Sequence, residues 1–409
     1  MGTDPSDRRK ATDPGPAKFG VDELFFSRTD QHGVIQAGNS IFQRISEYSW
    51  DELHGAPHRI IRHPDMPKAV FWVLWDRLKR GLPVGAYVKN RTKSGKYYWV
   101  YAFITPIEGG YLSVRQRPCS EFFDQIDETY RTLRATEDAE GSDPIRSAGR
   151  LLGAIADLGF RDYDAFMAST AVAELAARQQ RLATPKRNQT ETHFGIVIEN
   201  AVATLFQAQE VTIFMRQLRC FPINLSVQAR RLPTGGDIFK VISSDYDRIC
   251  RQIERRTTDF LETSVSLADR ICKSVFILSA ALVQQEMARA FELESGGDSK
   301  PSFATEIDWL GKQSESYLAK ARSDMTETSV KARQFSDLCT DLNKLATSLD
   351  FARNLGTIEA FRLDRNGKNL QNMMTEAANH QFKISEHLTA LQNLNTTVAD
   401  TTTRLSRAV

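Results

Sequence analysis

The rhythm of apolar and polar positions changes once along this chain, near residue 130. Before that point short apolar runs alternate with turn residues, as strands do; beyond it apolar positions recur every three or four residues, as on helices. Leu24 to Thr29 reads as a strand, Asp30-Gln31-His32-Gly33 as a turn, and Val34 to Ala37 as the return strand of a hairpin. Asn39 is placed to cap a short helix carrying Ile41, Phe42 and Ile45. Asp51-Glu52-Leu53 begins another turn of helix. After Pro67, the spacing of Phe71, Leu74, Trp75 and Leu78 predicts an amphipathic helix that Gly81 ends. Strands are expected over 86–91, 97–105 and 111–117, with turns at Lys93-Ser94-Gly95-Lys96 and Glu108-Gly109-Gly110. The expected fold is α+β: a five-stranded antiparallel sheet with helices, followed by an all-α bundle.

Between the two short helices and the longer one lies Pro57-His-Arg-Ile-Ile-Arg-His-Pro-Asp-Met-Pro67. Pro64 and Pro67 fix φ and remove backbone donors, so this run is a stiff, irregular scaffold for polar side chains. It suits an anion, a flavin or a haem; a charged surface loop is the plainer alternative.

The order of elements and motifs resembles the flavin-binding PAS domain of bacterial aerotaxis receptors. The resemblance rests on Ser27-Arg28-Thr29-Asp30 with Gly33, Asn39-Ser40-Ile41-Phe42, Ile45-Ser46-Glu47-Tyr48, Glu52-Leu53-His54-Gly55 and the Pro57–Pro67 run. It continues through Phe71, Trp75, Val88-Lys89-Asn90-Arg91, Lys93-Ser94-Gly95, Tyr98-Trp99-Val100, Thr105-Pro106-Ile107 and Ser113-Val114-Arg115. It covers residues 20 to 130, and Glu47 departs from it where the family usually has glycine. The resemblance implies FAD, held by the segment Arg62, His63, Pro64, Asp65. Arg62 and His63 can hold a pyrophosphate or ribose, with Asp65 orienting His63 or accepting from a ring or ribose donor. Trp75 can border the ring system, and Asn39 and Asn90 can meet its pyrimidine edge. Trp75 as core packing, Asn39 as a helix cap and Arg62–Asp65 as a salt-linked turn are the structural alternatives. Haem is the other ligand to weigh, with His58 or His63 as axial ligand.

The helical half divides into a linker subdomain and a longer bundle. Gly141-Ser142-Asp143-Pro144 interrupts the first helix, and Leu151, Leu152, Ile155 and Leu158 follow on one face. An Ala-rich helix spans 171–182, and Thr184 to Asn188 reads as a linker. Phe194, Val197, Ala201, Leu205 and Ala208 then step by three and four. Segment 223–232 recurs as 354–363, each before a glycine turn, Gly235-Gly236 and Asn366-Gly367, which predicts two helical hairpins. Both segments resemble the hairpin tip of methyl-accepting chemotaxis receptors. Asn224, Ser226, Ala229, Arg231 and Leu232 carry this in the first copy; Thr357, Ile358, Glu359, Ala360 and Arg362 carry it in the second. Gln228, Pro222 and Phe361 depart from the pattern. The resemblance implies contacts with a chemotaxis kinase, its coupling protein or other receptors, with Asn224, Ser226, Arg231, Glu359 and Arg362 as contact residues, and self-association through helices. The expected domains are a disordered tail (1–18), a PAS sensor (19–130), a helical linker subdomain (131–188) and a receptor-like bundle (189–409).

Composition narrows the classes. The net charge of +2 and the lack of a basic module argue against nucleic acid. Five scattered cysteines suggest reduced thiols in the cytoplasm. No apolar stretch nears the roughly 20 residues of a membrane span; Val275 to Val283 reads as a buried helix segment. No phosphate loop, metal pair or nucleophile elbow appears, so no enzyme is expected. The expectation is a cytoplasmic redox- or oxygen-responsive signalling protein of aerotaxis type. The alternative is a non-catalytic scaffold with a ligand-free PAS domain.

Overall fold

A computed structural model of the chain describes residues 15–141, 143–182, 189–232, 234–295, 303–363 and 367–408. Residues 1–14 of the expected tail, Ser142 of the expected helix break, the linker at 184–188 and Asn366 of the second turn lie outside the described residues. The chain divides into two compact units, residues 1–195 with 272–321, and residues 196–271 with 322–409.

The first unit is built on an antiparallel sheet of β1 (Phe25–Asp30), β2 (Ile35–Gly38), β3 (Val84–Arg91), β4 (Tyr97–Ile107) and β5 (Gly110–Gln116), in the order β2-β1-β5-β4-β3. Three short helical pieces, α1 (Ser40–Ser46), α2 (Trp50–Leu53) and a 3-10 turn at His58–Ile61, precede α3 (Lys68–Lys79). Residues 15–17, expected in the tail, pair with the start of β4: Ala17 N–H donates to the Tyr97 carbonyl at 2.7 Å. Glu47 ends α1 with φ 62°, the left-handed conformation that favours glycine. Its carboxylate accepts from Ser94 N–H at 2.9 Å, and the Ser94 contacts pull its pKa down to about 2.

Period-two alternation gives the sheet two apolar faces, so both must be covered. α1–α3 cover one. The other is covered by α4 (Phe122–Glu140), α6 (Tyr163–Arg181) and helical residues within 272–321, while α5 (Pro144–Asp157) packs on α3. On this face Tyr101 Oη lies 3.0 Å from Thr170 Oγ1, and Tyr163 Oη donates to the Gly85 carbonyl at 3.0 Å. Phe103 stacks on Phe276 and Phe26 meets Phe291 edge-on. The fully buried Glu174 carboxylate accepts from Tyr87 Oη (2.8 Å), Ser120 Oγ (2.6 Å) and the backbone N–H of Cys119 (2.5 Å), fixing the exit from β5. Glu137 does the same for α3, accepting from the N–H groups of Lys68 (2.8 Å) and Ala69 (3.0 Å). Burial acts to raise its pKa, but these bonds and the Ser147 and Arg134 side chains outweigh that and lower it.

The second unit is helical. It takes in α7 (Gln189–Leu218) from Ile196 onward, α8 (Phe221–Ala229), α11 (Lys368–Ala408), and parts of α9 (Gly236–Ser295) and α10 (Ala304–Arg362). Its core repeats every seven residues. Phe239, Tyr246, Ile253, Phe260 and Leu267 are buried on α9, and Leu370, Ala377, Ile384, Leu391 and Val398 on α11, each 131 positions after its counterpart. Seven-residue spacing is the coiled-coil period. The two expected glycine turns obey the same offset. A Cβ on Gly236 would meet the Ala229 carbonyl oxygen at 2.4 Å, and one on Gly367 the Ala360 carbonyl oxygen at 2.0 Å. We therefore expect Gly367→Ala to lower the stability of this unit by about 1–3 kcal/mol, because the obstacle is backbone. Gly149→Ala, with nothing within 4 Å of the new methyl, is expected to stabilise its helix by about 0.5–1 kcal/mol. Urea unfolding midpoints of the two variants check both signs.

Candidate functional site

Alternation along the strands brings one set of side chains to the inner face of the sheet. Ser27 and Thr29 come from β1, Val88 and Asn90 from β3, Ala102 and Ile104 from β4, and Tyr111, Ser113 and Arg115 from β5. Facing them, α3 presents Phe71, Leu74, Trp75 and Leu78, and the Pro57–Pro67 run adds His58, Arg59 and Arg62. Together they enclose a cavity of about 370 Å³. Gly33, at φ 78°, lets the Trp75 ring approach: a Cβ there would lie 3.1 Å from the indole.

The floor of this cavity is polar. The Arg115 guanidinium lies 2.5 Å from Ser27 Oγ and 2.7 Å from His58 Nε2. Among the described residues its Nη1 has no partner, and neither does Asn90 Nδ2 or Ser113 Oγ. All three residues are buried. Arg115 makes no ion pair among the described residues; burial pushes its pKa down to about 10, so it stays charged at neutral pH. Burial, then the charges of Arg115 and Arg62, hold His58 well below its usual pKa, so the imidazole is neutral. Its Nε2 therefore accepts from Arg115. Buried donors left unpaired cost about 1–3 kcal/mol each, which marks such clusters as places for a ligand. Arg62 lies over the Phe71 ring, 3.3 Å from its centroid. Burial and the nearby Arg59 charge lower its pKa.

Of the residues expected at a ligand, Arg62, His58, Trp75 and Asn90 line the cavity; His63, Asp65 and Asn39 do not. Asn39 is the cap of α1. Its side chain accepts from Phe42 N–H (3.1 Å) and Phe26 N–H (3.0 Å) and donates to the Leu24 carbonyl (2.7 Å). Asp65 faces Lys89 at 2.9 Å, and His63 N–H donates to the Lys89 carbonyl at 3.3 Å, so this pair anchors the segment to β3. For haem, His58 Nε2 is engaged by Arg115 and His63 lies outside the cavity. Sequence reasoning did not single out Arg115, Ser113, Ser27 or Arg59 as site residues. Their signal was available: Ser113 and Arg115 are polar residues two apart on a strand whose intervening residue, Val114, is apolar.

In the second unit Asn224 and Ser226 sit on α8, Arg231 just beyond it, and Glu359 and Arg362 in the last turns of α10. Asn224, Arg231 and Arg362 are exposed. Glu359 and Arg362 pair with each other at 2.8 Å. Exposed apolar residues interleave with them: Ile223 and Val227 on α8, Ile358 and Phe361 on α10. Among the described residues no helix is long and apolar enough to cross a membrane.

Residues 37–114 match the PAS fold family. The aerotaxis receptor of Escherichia coli (strain K12) is 42% identical over 119 residues, 28% of this chain and 24% of that protein. The chain thus spans about a quarter of the length of this curated relative. Among solved structures, the light-state LOV domain of the blue-light photoreceptor Aureochrome1 is 19% identical, covering 25% of this chain and 85% of that one with a TM-score of 0.23. The LOV domain of the Erythrobacter litoralis EL346 blue-light-activated histidine kinase is 15% identical, covering 23% and 91% with a TM-score of 0.21. The five strands, the helices on their inner face and the family match over residues 37–114 together make the N-terminal part of this chain a PAS domain.

Proposed function

We propose that the PAS domain binds FAD non-covalently, and that the protein is a cytoplasmic redox- or oxygen-responsive signalling protein of aerotaxis type, not an enzyme. One observation carries the ligand: three buried donors without partners, on Arg115, Ser113 and Asn90, point into a cavity whose opposite wall is aromatic and aliphatic. A flat ring with a carbonyl-rich edge satisfies both walls, the edge accepting from the donors and the faces meeting Trp75 and Leu78. A dinucleotide also places a diphosphate near Arg59 and Arg62, neither of which has an acidic partner among the described residues. Bound flavin supplies one- and two-electron redox chemistry.

The residues around the cavity offer a way out for a change in ligand charge. Arg115 holds Ser27 on the inner face of β1, and the next residue, Arg28, points to the outer face. There Arg28 pairs with Glu306 in the first turn of α10 at 2.8 Å. The β1–β2 register shifts between Arg28 and Thr29, so this strand is irregular where inner and outer contacts meet. Thr105, beside cavity-lining Ile104, lies 2.9 Å from Gln284 on α9. A shift at Arg115 thus reaches both long helices within the first unit. The bundle's output is a protein contact, with chemotaxis kinase, coupling protein or other receptors as candidates, made through Asn224–Leu232, Asn354–Leu363 or both.

Two outcomes are expected. The purified full chain is yellow, and Arg115→Met lowers FAD occupancy at least tenfold, whereas Lys93→Ala, at an exposed pair with Glu52, leaves it unchanged. A folded, colourless chain that cannot be reconstituted with FAD would support the scaffold alternative instead. Second, reducing the flavin changes the bundle's partner affinity by a coupling of about 1–3 kcal/mol. Arg28→Met is expected to diminish that change without loss of flavin. Equal affinity of the oxidised and reduced protein for the kinase–coupling-protein pair would count against a sensor.

A further inference from the structure

The helix α5 has two apolar faces, and the chain covers one of them. At about 100° per residue, Ser147, Ala148, Leu151 and Ile155 fall on one side; all are buried, and α5 packs on α3. Ile145, Gly149, Leu152, Gly153 and Ala156 fall on a neighbouring arc of about 100°, and all five are exposed. Ile145 is 68% exposed and Leu152 43%. A surface helix ordinarily carries one apolar stripe, with polar residues opposite. On α5 the charged residues Arg146, Arg150 and Asp157 are confined to a strip of about 40°.

Two further features of that exposed side have no explanation inside the chain. Gly149 and Gly153 sit within the helix, where glycine is a poorer helix former than alanine. A Cβ on either would meet nothing within 4 Å, and neither has a positive φ, so nothing in the chain calls for glycine. The charges are the second feature. Arg146 lies in the first turn of α5 and Asp157 is its last residue, with no acid in the first turn and no base in the last. Each charge opposes the helix dipole, which favours anions at the N-terminus and cations at the C-terminus. Both residues are exposed, and neither has an ion-pair partner among the described residues. Arg150, between them, is paired with Glu140.

We propose that this face of α5 is the contact with a second copy of the chain, the two α5 helices lying antiparallel about a two-fold axis beside Leu152. Such an axis brings the same edge of each helix together with its direction reversed. Arg146 of each copy then meets Asp157 of the other, because the two positions are symmetric about the midpoint between Leu151 and Leu152. A parallel pair would set the charged edges on opposite sides and leave both residues unpaired. Gly149 and Gly153 let the helix axes approach closely, and Leu152 of each copy fills the space they leave. The ion pairs set orientation more than affinity. Two helices about 21 Å long bury well under the roughly 1,600 Å² of a standard interface, so the dimer is weak, with a Kd on the order of 10 μM. This puts self-association on α5 rather than on the receptor-like segments 223–232 and 354–363, and it does not depend on the flavin.

The test is sedimentation equilibrium of the full chain from about 1 to 100 μM, a range that brackets the expected Kd. The wild type is expected to pass from monomer to dimer across it. Leu152→Glu, at an exposed position, is expected to weaken the dimer about tenfold or more without changing the helical circular dichroism. Arg146→Asp and Asp157→Arg each improve the fit to the helix dipole, yet each is expected to weaken the dimer about fivefold. The double swap is expected to return it to within about twofold of wild type. A chain that stays monomeric throughout the range overturns the proposal. A dimer that Leu152→Glu leaves intact overturns it as well, since the contact then lies elsewhere. Single swaps that weaken the dimer with no recovery in the double swap overturn the antiparallel arrangement.

Discussion

A five-stranded sheet with two apolar faces cannot stay in water on either side, and the first unit is organised by how it covers them. The inner face takes short helices and a proline-stiffened run that leave a cavity. The outer face takes α6 and the helix ends within 272–321, which leave none of its large aromatics exposed. Both coverings are anchored by buried polar groups and not by apolar contact alone. Glu137 ties α3 to α4, and Glu174 ties the end of β5 to α6. The residues that shape the cavity and those that carry the long helices are therefore alternate residues of the same strands.

Arg115 makes that alternation consequential. A guanidinium under a sheet without a carboxylate partner is costly to desolvate. Ser27 and a neutral His58 satisfy part of it and leave one nitrogen unspent. A ligand with an acceptor edge completes the set. Any change in that edge's charge then acts on a cation already coupled to β1, one residue from an ion pair on the outer face.

Much of this was legible in the sequence, and the exceptions have physical reasons. All five strands, α3 and the Asn39 cap follow from alternation, turn chemistry and helical spacing. In the second unit the repeat is legible in two short segments and their glycine turns, whereas the heptads of α9 and α11 emerge only in the structure. Long-range pairing was not legible. Val275 to Val283 reads as a buried helix, but nothing local says that Phe276 covers Phe103, 173 positions earlier. Within the site, motif resemblance favoured the dense Arg62–Asp65 run. The structure divides that run between a lining residue, Arg62, and two anchoring residues, His63 and Asp65. A lone arginine on a strand is usually at the surface, and only the sheet's register turns Arg115 inward.

The most direct measurement is a crystal structure of the full chain loaded with FAD. The account predicts the ring between Trp75 and the sheet, with Arg115 Nη1, Ser113 Oγ and Asn90 Nδ2 each within hydrogen-bond distance of a ring acceptor. A ring bound elsewhere, with those three atoms still unpaired, would contradict it.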